Sequence, residues 1–157
     1  MALPYRAGSF DAAVMPLVIF FVPEPPKGVA EMIRVVAPGG VVTAYAWDME
    51  GGGFPYQALR DEMKAMGVEP GMPPSPDASR LEALRELWTK AGLQCVETRA
   101  IEVRRTFEDF EDYWTTVLGG PSVAGKLKAM GPENLAILRD RMKSRLPIDA
   151  GGRITYS

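Results

Sequence analysis

Histidine is absent from all 157 residues. That removes the side chain most often used as a general base near neutral pH, and the commonest metal ligand with it. A single cysteine, Cys95, can neither close an internal disulfide nor make a zinc site alone, so no metal is expected and the cytoplasm is the expected compartment. Charge of one sign is also lacking. Eighteen Lys and Arg stand against 20 Asp and Glu, a net of −2, which leaves no electrostatic footprint for nucleic acid. Arg99, Arg104 and Arg105, and the basic residues from Lys126 to Arg145 that alternate with acids, read as solvated faces. No long hydrophobic run exists either: the most apolar stretch, residues 14–22, holds Pro16, abuts Pro23 and falls far short of the roughly 20 residues a membrane span takes. No membrane partner is expected, and no signal peptide is evident at the start.

What is present is ordinary for a globular chain, with 46% hydrophobic and 24% charged residues, enough for one domain spanning 1–157 with a real core. The organising stretch runs from Val29 to Asp48. Val29, Met32, Ile33 and Val36 share one helical face, Pro38 forbids continuation, and Gly39-Gly40 permits a reversal of the backbone. The apolar, β-branched run 41–47 that follows predicts a strand buried on both faces. A second short strand over 10–15 precedes the helix, so strand, helix and strand make a parallel βαβ unit and the class is α/β.

Leu3-Pro4-Tyr5, Gly8-Ser9-Phe10-Asp11-Ala12-Ala13-Val14, Leu17-Val18-Ile19-Phe20-Phe21-Val22, Glu31-Met32-Ile33-Arg34-Val35 and Pro38-Gly39-Gly40 follow one another in an order and spacing that resemble the second half of a class I S-adenosylmethionine-dependent methyltransferase of the small-molecule kind. The resemblance implies a partial Rossmann-like sheet of the last four strands, mostly parallel with one antiparallel, with helices on both faces and a helical insertion over 106–147 before the last strand. It implies S-adenosylmethionine as cofactor and a small-molecule methyl acceptor as partner. The family's glycine-rich loop after its first strand, and the acidic residue ending its second, have no counterpart here. The reading is therefore of a chain lacking a front half, inactive alone, with an internal Met as one explanation of its start. Ala2 and Leu3 align with the family segment that meets the adenine, and Met15, Pro16 and Leu17 with the methionine end of the pocket. Where the family commonly carries a His, this chain has Phe20.

Further along, Trp47, Asp48, Phe54 and Tyr56 gather around Gly51-Gly52-Gly53 at a strand's carboxyl end, where open α/β sheets place ligands. They are the candidates for contact with a methyl acceptor, and Asp48 is the candidate catalytic group, as a base or as an orienting hydrogen-bond acceptor. A solvated loop is the plainer reading of the same residues. A helix over 55–66 carries Leu59, Met63 and Met66 on one side. The proline- and glycine-rich stretch 67–78 reads as a linker or lid. Ser79-Arg80-Leu81-Glu82 has the capping-box spacing and predicts a helix ending at Gly92. A strand over 93–103 follows, with Cys95 buried in it. Thr106 then caps a helix over 107–118 whose stripe, including Trp114, is core first and acceptor cover second. Two more helices, over 123–130 and from Pro132, precede a last antiparallel strand over 151–157.

Two functions from different classes stay open at this point. One is methyl transfer to a small molecule. The other is a non-catalytic α/β interaction module that self-associates as a homodimer, because the strand 10–15 presents an open hydrophobic edge.

Overall fold

The computed structural model describes residues 2–120 and 123–156. Ser157, assigned above to the last strand, lies outside the described residues, as do Met1, Pro121 and Ser122. The chain forms two units, Met1–Phe54 with Pro73–Ala100 and Pro55–Met72 with Ile101–Ser157.

In the first unit β1 (Phe10–Pro16) and β2 (Val36–Tyr45) lie side by side and parallel, with α1 (Pro25–Val35) between them in sequence. The expected βαβ unit is therefore present. Pro25 and Pro26 occupy the first turn of α1, where a missing N–H costs nothing, and Gly28, Val29, Met32 and Val35 form its buried face. Gly28 allows a close approach, since a Cβ there would lie 3.1 Å from a methyl of Val22.

The Pro38-Gly39-Gly40 segment does not end the helix as expected. α1 stops at Val35, Val36 is already extended, and the segment forms an irregularity inside β2. Phe10 pairs with Val36 and Ala12 with Val41, so residues 37–40 stand opposite Asp11 alone. Pro38 cannot donate to a ladder, Gly39 has φ of 85°, and a Cβ on Gly40 would come within 2.5 Å of the Asp11 carbonyl oxygen. From Ala12↔Val41 to Pro16↔Tyr45 the register is then one to one.

One face of this two-stranded sheet is covered. Met15, Val42 and Ala44 pack toward Ile19, Phe20, Val29, Met49, Ala78 and Trp88. Trp88 belongs to α3 (Leu81–Lys90), and its indole N–H donates to the Val42 carbonyl at 2.9 Å. The alternate residues look the other way: Val14, Val41 and Tyr45 are 57%, 60% and 55% exposed. Residues 41–47 were expected to be covered on both sides. An apolar run records a preference for burial, but the cover must come from another element, and here only one face has it.

Other expectations are corrected by what each backbone pairs with. The single four-stranded sheet is replaced by two sheets of two strands, β1 with β2 and β3 (Arg105–Phe107) with β4 (Ile154–Tyr156). Residues 93–103 form no strand, and Cys95 is exposed rather than buried. Its φ of 53° puts it in the left-handed region, which interrupts extended backbone. Ser79 does not cap α3, whose N-terminal flank is Arg80 with no side-chain cap.

The second unit holds α2 (Gln57–Ala65), β3, α4 (Phe110–Leu118), α5 (Ala124–Ala129), α6 (Gly131–Arg145) and β4. Its core joins Leu59 and Met63 to Phe107, Tyr113, Val117, Leu127, Leu138, Met142 and Ile154. Burial raises the Tyr113 phenol above its ordinary pKa. Thr106, expected as a helix cap, instead lies in β3 with its hydroxyl 2.8 Å from that of Thr155, while Asp109 caps α4 by accepting from the Asp112 N–H at 2.9 Å. The last strand is antiparallel as expected, with β3 as its partner. Arg145 of α6 reaches Asp61 and Glu62 of α2 at 2.8 and 2.9 Å. No helix among the described residues is long and apolar enough to cross a membrane.

The exposed, left-handed Cys95 supplies a direct test of backbone strain. Cys95→Gly is expected to raise stability by about 1 kcal/mol, because glycine adopts φ near +53° without the Cβ clash. Thermal denaturation of the two proteins checks it, with a higher midpoint for the variant.

Candidate functional site

β1 runs toward Met15 and Pro16, and the next residue, Leu17, has φ of 53°. A leucine in that region is uncommon, and such outliers collect at sites where the surroundings over-determine the backbone. The Leu17 N–H donates to the Tyr45 carbonyl at 2.8 Å, so the turn is bonded across to the end of β2. A 3₁₀ turn, Ile19–Phe21, follows and buries Ile19 and Phe20. Met15, Leu17, Trp47 and Phe54 are half-buried around the same core. The structure thus brings together Met15 and Pro16 of β1, and Leu17 after it, with the residues that follow β2.

Beyond β2 the chain bends through Asp48 into the glycine run. Asp48 Oδ1 accepts the Gly51 N–H at 2.7 Å and, at a longer 3.4 Å, the Glu50 N–H, which closes an Asx-type turn. A Cβ at Gly51 would meet the Asp48 carboxylate, so the carboxylate lies close against this glycine. Met49 is buried, and its N–H donates to Ser79 Oγ at 3.2 Å. The carboxyl of Asp77, hydrogen-bonded to Glu50 and repelling its charge, raises the Glu50 pKa, while nearby Arg80 acts the other way.

Residues 73–79 lie across these turns as a strap. Ser75 donates its N–H to the Phe20 carbonyl at 3.0 Å and its hydroxyl to the Val22 carbonyl at 2.8 Å. A 3₁₀ turn, Pro76–Ser79, then buries Ala78 and Ser79. A groove of about 430 Å³ runs beside it, lined by Pro25, Pro26, Pro74, Pro76, Ala78 and Leu87 among others; Met15, Pro16, Leu17, Trp47 and Asp48 are not part of its lining.

Ala2 and Leu3 are held elsewhere. The Leu3 N–H donates to Glu31 Oε2 at 2.8 Å, and Arg34 donates to the Leu3 and Tyr5 carbonyls at 3.1 and 2.9 Å. These bonds tie the segment to the last turns of α1, where Gly8 and Ser9 also bond the Arg34 and Val35 carbonyls at the amino ends of the strands. None of them reaches Met15, Pro16 or Leu17. Tyr56 and Trp114 belong to the second unit, in which Trp114 is buried and stacked on Phe110 at 6.0 Å. Among the described residues no group of three carboxylates or thiols is placed to hold a metal ion.

The grip of Glu31 and Arg34 on the first residues was not legible beforehand, because spacing i, i+3 predicts their mutual pair and says nothing of Leu3. Ser79 was misread as a cap. A signal for its true turn was available in Pro76 and Ser79, spaced by the three residues of a 3₁₀ turn.

Residues 1–44 match the family model of the methyltransferase domain. The match takes in β1, α1 and β2 to within a residue of its end, and supports the class I S-adenosylmethionine-dependent methyltransferase-like domain that the residues resemble. Met15, Pro16 and Leu17 lie inside the methyltransferase match, while Trp47, Asp48 and Phe54 lie just beyond it. No curated protein matches the chain significantly.

The Glu31 carboxyl, bonded first by Arg34 and then by the Leu3 N–H, is pulled down to about 2 from an ordinary 4.5. A group whose folded pKa is depressed stabilises fully above its unfolded value and loses that contribution as pH falls through the folded one. Glu31→Gln is therefore expected to lower stability at pH 6, with the difference from the parent shrinking from about pH 4.5 and gone by about pH 2. Urea denaturation of both proteins across that range measures it.

Proposed function

We propose that this chain is part of a methyltransferase that takes S-adenosylmethionine and methylates a small-molecule acceptor. The observation that carries the reading is that the methyltransferase match over residues 1–44 falls on the β1–α1–β2 unit, with the left-handed Leu17 at its carboxyl end. Ligands of open α/β sheets bind beyond the carboxyl ends of strands.

The residues there suit the methionine end of the cofactor. Met15, Pro16 and Leu17 offer apolar surface to its aliphatic arm, and the rings of Trp47 and Phe54 with the Asp48 carboxylate are favourable surroundings for a sulfonium cation. When bound, the cofactor supplies an electrophilic methyl group; the protein contributes binding and orientation. Asp48 would orient the acceptor's nucleophilic group or take its proton, and Trp47 and Phe54 of the same unit are the candidates for acceptor contact. The single exposed Cys95 fits a reducing, cytoplasmic setting.

Calorimetric titration with S-adenosylmethionine tests this. Micromolar binding is expected, and no heat of binding at millimolar cofactor overturns the reading.

A second reading, self-association as a non-catalytic module, is favoured by the sheet itself: β1 has β2 as its partner strand, and Val14, Val41 and Tyr45 leave its uncovered face apolar. A homodimer that covers β1 would sediment at twice the chain mass at micromolar concentration, and Val14→Glu would return it to monomer. A monomer at all concentrations up to about 100 μM, some tenfold above the micromolar range of ordinary interfaces, counts against it.

A further inference from the structure

Ser79 is 4% exposed, and its hydroxyl is used in both directions. It donates to the Pro76 carbonyl at 2.6 Å and accepts the N–H of Met49 at 3.2 Å. The Met49 N–H belongs to the peptide group whose carbonyl is that of Asp48. Holding this group restricts the backbone torsion of Asp48 next to its side chain, and so the direction in which the carboxylate leaves the chain. The carboxylate is held in turn from the other side, where Gly51 donates its N–H at 2.7 Å and leaves no room for a Cβ.

We infer that Ser79 is a positioning residue for Asp48, fixing the peptide that follows it from the buried side of the loop. The inference deepens the methyltransferase reading and rests on it for the role of Asp48. Ser79 itself is well placed for the task because its turn does not float: Ser75, four residues earlier, is bonded to Phe20 in the 3₁₀ turn after Leu17 and to Val22 just beyond it. The bonds of Ser75 and Ser79 therefore join the turn beyond β1 to the turn beyond β2. A buried hydroxyl suits the position, since it must accept from one backbone and donate to another at once, which neither alanine nor an amide of larger size could do in the same space. Removing it strands the Met49 N–H in a buried position, where a lost partner costs more than the bond itself contributed.

The test is amide hydrogen exchange by NMR on the full chain, as the parent, Ser79→Ala and Ser79→Thr. In Ser79→Ala the Met49 and Gly51 amides are expected to exchange at least tenfold faster, while those of Val29 and Met32 in α1 keep their parental rates. Ser79→Thr, which retains the hydroxyl, is expected to restore both amides to within about threefold. An unchanged Gly51 rate in Ser79→Ala overturns the inference, because the carboxylate turn would then be indifferent to Ser79. Equal loss of protection at Val29 and Met32 also overturns it, since that is general destabilisation. Titration of the parent with S-adenosylmethionine separates the two levels: absent binding removes the functional reading, and with it the meaning of Asp48, whereas failure of the positioning role appears in the exchange rates alone.

Discussion

The pairing of β1 with β2 is the constraint on which the first unit depends. Parallel strands cannot be joined by a tight turn, so the chain must cross over, and α1 is that crossover. Once the strands are parallel, both carboxyl ends lie at the same end of the sheet. That is the reason Met15, Pro16 and Leu17, some thirty positions earlier in the chain, meet the residues that follow Tyr45. The left-handed Leu17 is tolerated there because the bond from its N–H to the Tyr45 carbonyl and the burial of Ile19 and Phe20 hold it on both sides.

The sheet is asymmetric. One face is packed by α1 and by Trp88 of α3, and the other presents Val14, Val41 and Tyr45 to solvent. Parallel sheets are ordinarily covered on both faces, so the uncovered face leaves an apolar surface along the side of the sheet. The two proposed functions draw on these separate parts of one unit. The end of the sheet, with its strained turn and convergent side chains, is the part suited to a small ligand, and the side is the part suited to another polypeptide.

Legibility differed by the kind of signal. The βαβ unit could be read because its pieces are local: an apolar face at helical spacing, prolines in a first turn, and a β-branched run. Pro38-Gly39-Gly40 was recognised as a place where the backbone departs from regularity, yet whether that departure ends a helix or bulges a strand depends on what lies opposite, which is Asp11. Residues 93–103 have the composition of a strand but pair with no strand among the described residues, and Thr106 lost its capping role to Asp109 because β4 claims it for pairing. At the candidate site, Asp48 and Trp47 were visible as a cluster of chemistry near a glycine run. Ser79 was visible only as a cap, because the thirty residues between it and Met49 hide the contact from any local pattern.

From the sequence alone follow the α/β class, the placement of α1 between two strands, the absence of histidine chemistry and the resemblance that the family match over residues 1–44 supports. These are decided by composition and by short-range periodicity, which the covalent order of the residues carries directly. The tertiary structure alone decided which face of the sheet is covered, that the strands form two sheets instead of one, that Glu31 and Arg34 hold the first residues, and that Ser79 bonds the peptide after Asp48. Each of these is a pairing between groups distant along the chain, and the partner of a polar group or an apolar face is set by what the fold brings beside it.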